Sequence, residues 1–214
     1  GESEILGLEM AGTIAAIGDG VQGRQIGERV LALLSGGGYA QQVAVNHQML
    51  IKLPAGWSFA EGAAIPEVWL TAFVNLFIEG TLKSGETVLI HAGGSGVGTA
   101  AIQMAREAGA RVYITAGAEA KLDKCRGLGA TLAVNYKEQD FFEEVMTATG
   151  GKGVDLILDP VGGAYLNQNL NRRQNLNHHL NQSHHPNPNH HPNPNRRQNL
   201  NRRLYRRRRQ NLRH

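Results

Sequence analysis

The sequence has a single cysteine, no acidic residue in its last 48 positions and no long apolar run, and each absence narrows what the chain can be. A lone Cys125 excludes an internal disulfide and any zinc site built from several cysteines, and it fits a reducing compartment. No stretch approaches the roughly 18 apolar residues of a membrane helix, and Gly1-Glu-Ser-Glu4 lacks the features of a signal peptide. The protein is therefore expected in the cytoplasm without a membrane partner, and the chain is expected to begin mid-protein. The missing acids also divide the chain. All 18 Asp and Glu lie before residue 167, beside 11 of the 22 Lys and Arg, so the body carries a net −7 while the last 48 residues carry 11 arginines. The overall +4 sums two unlike pieces and does not mark the whole chain as a nucleic-acid binder.

From Leu166 the sequence turns into hexads: Leu-Asn-Gln-Asn-Leu-Asn171, Arg-Arg-Gln-Asn-Leu-Asn177, two copies of His-His-Pro-Asn-Pro-Asn over 184–195, and Arg-Arg-Gln-Asn-Leu-Asn201. Scattered leucines and Tyr205 cannot bury enough apolar surface to offset chain entropy, so residues 166–214 read as a disordered low-complexity tail. RNA binding through the Arg206–Arg209 run is the alternative for this tail. It is disfavoured because Tyr205 is the only aromatic there on which a base could stack.

What the body has in abundance is glycine, concentrated where it matters in Thr87-Val-Leu-Ile-His-Ala-Gly-Gly-Ser-Gly-Val-Gly-Thr-Ala-Ala-Ile102. Val88, Leu89 and Ile90 read as a strand buried on both faces, and Ala100, Ala101, Met104, Ala105 and Ala108 recur at helical spacing up to Gly109. Gly93, Gly94, Gly96 and Gly98 fill the turn between them, where bare backbone and a helix start favour the negative charge of a pyrophosphate. The strict G-x-G-x-x-G fails, because Thr99 stands at the third glycine's position. Arg111–Thr115 supplies a second strand, however, and residues 87–115 make one βαβ unit of the expected length.

Around this unit the patterns alternate. Met10–Ile17, Arg29–Leu34 and Tyr39–Val45 read as strands between glycine turns. Ser58-Phe-Ala-Glu61 is a capping box opening a short helix that Pro66 ends, and Trp69–Glu79 reads as a second helix with Trp69, Ala72, Phe73 and Leu76 on its apolar face. Downstream come a helix over Glu119–Arg126 closed by Gly127 or Gly129, a strand over Leu132–Asn135, a capping-box helix start at Asp140-Phe-Phe-Glu143 and a strand over Val154–Leu158. Such alternation predicts an α/β fold with a parallel doubly wound sheet.

Ile5-Leu-Gly-Leu-Glu9, Ala64-Ile-Pro-Glu-Val-Trp-Leu-Thr-Ala-Phe73, His91-Ala-Gly-Gly-Ser-Gly-Val-Gly98 and Asn135-Tyr136 agree in order and spacing with one family. Over residues 1 to about 165 the chain resembles the quinone-oxidoreductase branch of the medium-chain dehydrogenase/reductases. The resemblance implies a partial β-rich GroES-like catalytic domain over 1–57, connecting helices over 58–85 and an incomplete, truncated Rossmann domain over 86–165. It further implies NADPH as cofactor, a small-molecule quinone as substrate, homodimerisation of the intact family member and hydride transfer to a quinone or other activated carbonyl or alkene. A non-catalytic NADPH-binding protein is the competing reading, since a fold can bind without reacting.

The resemblance also assigns residues. Gly94, Ser95, Gly96, Val97 and Gly98 would hold the pyrophosphate, Thr71 would lie near the nicotinamide, Lys121 would contact the ribose 2′-phosphate with Tyr136 beside it, and Gly117 would be a further cofactor-binding residue. Lys121 suits that role as a point charge, and the second strand ends in Thr115-Ala-Gly-Ala118 without the acid that NAD enzymes place there. Glu119 is better placed to support a helix N-terminus. Leu8 stands where zinc enzymes of the superfamily have a histidine ligand, so a zinc-independent reductase is expected, with His47 and His91 as surface or structural histidines and Cys125 as a buried one. No catalytic acid, base or nucleophile is evident. The family pattern supplies segments upstream of Gly1 and downstream of Gly163 that this sequence lacks. Its fourth strand is therefore expected to be an open edge, its NADPH binding weak and its turnover negligible.

Overall fold

The computed structural model describes residues 4–165, 168–169 and 203–206. Packing divides the chain between Thr71 and Ala72. In the first unit, β1 (Glu9–Thr13), β2 (Arg29–Leu33) and β3 (Ile51–Lys52) form an antiparallel sheet in the order β1-β2-β3, with Ala11 opposite Leu31 and Val30 opposite Lys52. Val30, Leu31 and Ala32 are its buried centre. Helix α1 (Phe59–Ala63) lies against β1 and β2. Gly62 sits at the close approach, where an added Cβ would press on Leu53 Cδ1 and stand 3.3 Å from Ala11 Cβ. The capping box at Ser58 is present in both directions, with the Ser58 hydroxyl accepting from Glu61 N–H and Glu61 accepting from Ser58 N–H at 2.7 Å.

Three local expectations are corrected in this region. Tyr39–Val45 is not a strand: Tyr39 is 79% exposed, its N–H bonds back to Leu6 O, and the second partner of β2 is β3. The second helix starts three residues early, as α2 (Pro66–Phe73), because proline at a helix's first position costs nothing when its missing N–H would have been unpaired. It then widens into a π-helical stretch over Val74–Glu79. Phe73, at the junction, is 45% exposed and not on the buried face, while Ala72 and Leu76 are fully buried as the spacing predicts.

The second unit is a sheet in the order β6-β5-β4-β7-β8. Its parallel strands are β4 (Thr87–Ile90), β5 (Arg111–Ala116), β6 (Leu132–Asn135) and β7 (Leu156–Asp159). Helices α3 (Gly96–Glu107), α4 (Glu119–Leu128) and α5 (Phe141–Ala148) connect them, giving the first-half order of a doubly wound fold. Burial on both faces explains the unbroken apolar run of β4. Leu89, Tyr113 and Ile157 pack with Phe141 and Val145 of α5, while Val88, Ile90, Val112 and Ile114 alternate to the opposite face. Burying each such side chain stabilises the fold by about 1.5–3 kcal/mol. Helix α4 ends at Gly129 with φ 119°, a left-handed cap that favours glycine.

The expected open edge is also corrected. The backbone of β8 (Arg203–Arg206) pairs antiparallel with β7, Asp159 opposite Arg203 and Leu156 opposite Arg206. Edge pairing uses main-chain groups, so it does not require the alternating apolar pattern that this arginine-rich stretch lacks. Asn169, inside the first hexad, is 4% exposed and likewise belongs to the folded unit. The rest of the predicted disordered tail lies outside the described residues.

Candidate functional site

The carboxyl ends of β4, β5 and β7 converge on the glycine turn, the place where open α/β sheets bind ligands. Ala92 opens the turn in the left-handed region at φ 52°. Gly93 N–H donates to Thr115 O at 2.9 Å, which ties the turn to the end of β5, and a Cβ at Gly93 would press on Ile114 at 2.8 Å. Ser95 is the N-cap of α3: its hydroxyl accepts from Gly98 N–H at 3.0 Å and its carbonyl from Thr99 N–H at 2.8 Å. Among the described residues, the first-turn N–H groups of Gly96 and Val97 remain as the helix start's open donors.

Gly98 does what the missing third glycine would have done. A Cβ there would stand 2.5 Å from Ala92 O and 2.6 Å from Gly93 O, so helix and turn can meet only if position 98 is bare. The spacing rule looked for this glycine one residue later. With four glycines among the seven residues from Ala92 to Gly98 and the Ser95 hydroxyl folded back, the cradle fits a pyrophosphate group.

Two further pairs of predicted residues meet beside the turn. The aliphatic stem of Lys121 lies on Gly94, where a Cβ would come within 3.0 Å of Lys121 Cδ and 3.1 Å of its Cβ, while the residue stays exposed. The Tyr136 ring lies on Gly117, whose Cβ would come within 2.6 Å of the phenol oxygen. A cation and a phenol are thereby held next to the turn and the end of β5. Glu119 is committed elsewhere, its carboxylate pairing with Arg126 at 2.6 Å along the exposed face of α4. Thr71 belongs to the first unit, where it is 8% exposed and its hydroxyl donates to Glu67 Oε1 at 3.3 Å.

The sequence reading missed a buried polar chain behind the turn. His91 is fully buried, its Nδ1 3.0 Å from Thr115 Oγ1 and its Nε2 3.1 Å from Asn169 Oδ1. Asn169 Nδ2 donates to Asp159 Oδ2 at 3.0 Å, and Asp159 Oδ1 accepts from the N–H groups of Val161 and Gly162. The His91 ring packs edge-on to Phe141 at 4.8 Å and against Tyr165 at 4.7 Å. Burial lowers its pKa, opposed by the Asn169 hydrogen bond and the Asp159 charge. Asp159 followed by Pro-Val-Gly-Gly163 at a strand end was the available signal, since a short acid there bonds N–H groups two and three residues on.

His47 opens a short 3-10 turn, and Cys125 is fully buried with its thiol pKa raised by burial. Among the described residues no three His, Cys, Asp or Glu gather as a metal-ligand set. Glu9 in the Gly7-Leu8-Glu9 motif caps α2 from a distance, Oε1 accepting from Glu67 N–H at 2.8 Å. No helix among the described residues is long and apolar enough to cross a membrane.

Known families match both halves. The alcohol dehydrogenase GroES-like domain matches residues 3–55, and the zinc-binding dehydrogenase family matches residues 96–174. Among solved structures, the CurK enoyl reductase is similar with a TM-score of 0.74 and 37% identity, covering 78% of this chain and 50% of that one. Escherichia coli quinone oxidoreductase complexed with NADPH gives a TM-score of 0.73 and 33% identity, covering 77% and 51%. The phenolphthiocerol synthesis polyketide synthase type I Pks15/1 of Mycobacterium marinum is 38% identical over 172 residues, which are 79% of this chain and 8% of that protein. The chain thus spans about half the length of these solved structures and a small part of the curated relative.

Proposed function

Because the chain belongs to the medium-chain dehydrogenase/reductase superfamily of oxidoreductases, we propose that it takes up NADPH and serves hydride transfer to a quinone or other activated carbonyl or alkene, without zinc. The observation that carries this reading is the placement of Lys121 on Gly94 and Tyr136 on Gly117, beside a strand end that has no free acid. A ribose 2′-phosphate would meet a cation and a phenol there, whereas a 2′-hydroxyl would find no carboxylate. Gly94, Ser95, Gly96, Val97 and Gly98 would hold the pyrophosphate, and the Thr71 hydroxyl would orient the nicotinamide carboxamide.

The cofactor carries the reducing chemistry, so the protein's task is to align it and exclude water, and no acid, base or nucleophile has to be found. The quinone reading rests on motifs that resemble those of the tumour-suppressor-inducible quinone oxidoreductase. The enoyl-reductase relatives favour a second acceptor, a conjugated enoyl thioester, which offers the same electron-poor alkene.

Titration with NADPH and NADH, followed by NADPH consumption with an ortho-quinone and with an enoyl thioester, tests the proposal. Preference for NADPH over NADH, with weak binding and only slow consumption by the quinone, is the expected result. Faster consumption with the thioester would move the acceptor to the second reading, binding without consumption would leave a nucleotide-binding protein, and equal affinity for both cofactors would refute the 2′-phosphate site.

A further inference from the structure

Resting on the nucleotide-binding reading of the turn, we infer that Asn169 and His91 form a positioning relay that holds the Ala92–Gly98 turn in its pyrophosphate-accepting shape. The direction of every bond in the relay follows from chemistry. The Asp159 carboxylate only accepts, so the Asn169 group facing it at 3.0 Å is the donating nitrogen Nδ2. Asn169 Oδ1 must then face His91 at 3.1 Å, and because an amide oxygen only accepts, the proton of His91 sits on Nε2. In the neutral ring Nδ1 is left as an acceptor, and the Thr115 hydroxyl donates to it at 3.0 Å. One arrangement of protons accounts for all three of these side-chain hydrogen bonds. Burial of the ring favours this neutral form.

The relay ends on the backbone that shapes the turn. His91 N–H donates to Leu158 O at 3.0 Å, and the next residue, Ala92, is a non-glycine at φ 52°. Such a conformation persists only where its surroundings impose it. Here Thr115 grips the turn twice, its hydroxyl on the His91 ring and its carbonyl on Gly93 N–H. Asp159, anchored by Val161 and Gly162 N–H, fixes the far end of the relay at the end of β7. Asn169 is therefore the link that makes the turn between β4 and α3 depend on the chain beyond β7.

His91→Phe keeps the ring against Phe141 and Tyr165 but removes both nitrogens, and Asn169→Ala removes the link while leaving His91 in place. The measurements are the His91 tautomer by nitrogen-15 NMR, amide exchange at Gly93 and Ser95 relative to Leu89 and Ile114, and NADPH affinity. Wild-type protein is expected to show one tautomer, protonated on Nε2. Each variant should speed exchange of the two turn amides about tenfold with the strand amides unchanged, and should raise the NADPH Kd about tenfold. The double variant should lose no more than either single one.

A ring protonated on Nδ1, turn amides exchanging at wild-type rates in the folded variants, or fully additive losses would overturn the relay. If His91→Phe does not fold, Thr115→Val removes only the hydroxyl end and is read the same way. Failure of the wild-type protein to bind NADPH would remove the cofactor reading alone, because tautomer and exchange still decide whether the relay holds the turn.

Discussion

Alanine at Gly98 should destabilise the protein, whereas the same change at Gly127 should stabilise it. Both glycines lie in helices, so intrinsic propensity favours alanine at each by up to about 1 kcal/mol. What separates them is space. A Cβ at Gly98 would sit 2.5 Å from Ala92 O and 2.7 Å from the Gly93 carbonyl carbon, against about 3.5–4.0 Å for a comfortable carbon pair. The clash is with backbone, and that backbone is already held at φ 52° at Ala92 and bonded to Thr115, so it cannot retreat without breaking a contact. Overpacking of this kind costs about 1–3 kcal/mol and should outweigh the propensity gain. At Gly127 nothing lies within 4 Å of the added Cβ, and the gain of about 0.5–1 kcal/mol is kept. Urea unfolding read as the midpoint at constant slope separates the two. If both variants shift the midpoint in the same direction, the close helix–turn contact at position 98 is not what the structure indicates.

Two further outcomes follow from groups outside the turn. Ser58→Ala should cost about 1 kcal/mol by freeing Glu61 N–H. Ser58 also holds the Glu61 carboxyl below its ordinary pKa, so the carboxylate half of the box contributes fully above about pH 4.3 and is lost as pH falls through the lowered value; a Ser58→Ala variant as stable as wild type above that pH would contradict the cap. His91 has a folded-state pKa below its unfolded value of about 6.5, chiefly through burial. Its neutral ring therefore contributes stability that is complete above about pH 6.5 and declines toward the lowered value, by at most about 1.4 kcal/mol per pH unit. His91→Phe should flatten that acid limb in urea titrations, and an unchanged pH dependence would assign it to another group.

Local pattern revealed the parts of the fold that depend on local physics. The unbroken apolar β4, the Ser58 capping box, the Gly129 stop of α4 and the strand Leu132–Asn135 all appear where apolar runs, caps and glycine place them. The same holds for the glycine-filled turn between β4 and α3. What failed needed partners distant in sequence. Tyr39–Val45 has strand composition but β2 is already paired on both sides. Asn169 was hidden by its surroundings: an asparagine in a repeat reads as solvated, and only the fold brings it 78 positions back to His91.

Titration of wild-type protein and Lys121→Ala with NADPH and NADH in parallel tests most directly the proposal that Lys121, lying on Gly94, selects NADPH. Losing a charge-assisted hydrogen bond costs about 1.5–3 kcal/mol, so the variant should bind NADPH roughly 10- to 100-fold more weakly while NADH affinity barely moves. Equal losses for the two cofactors would show that Lys121 does not read the 2′-phosphate.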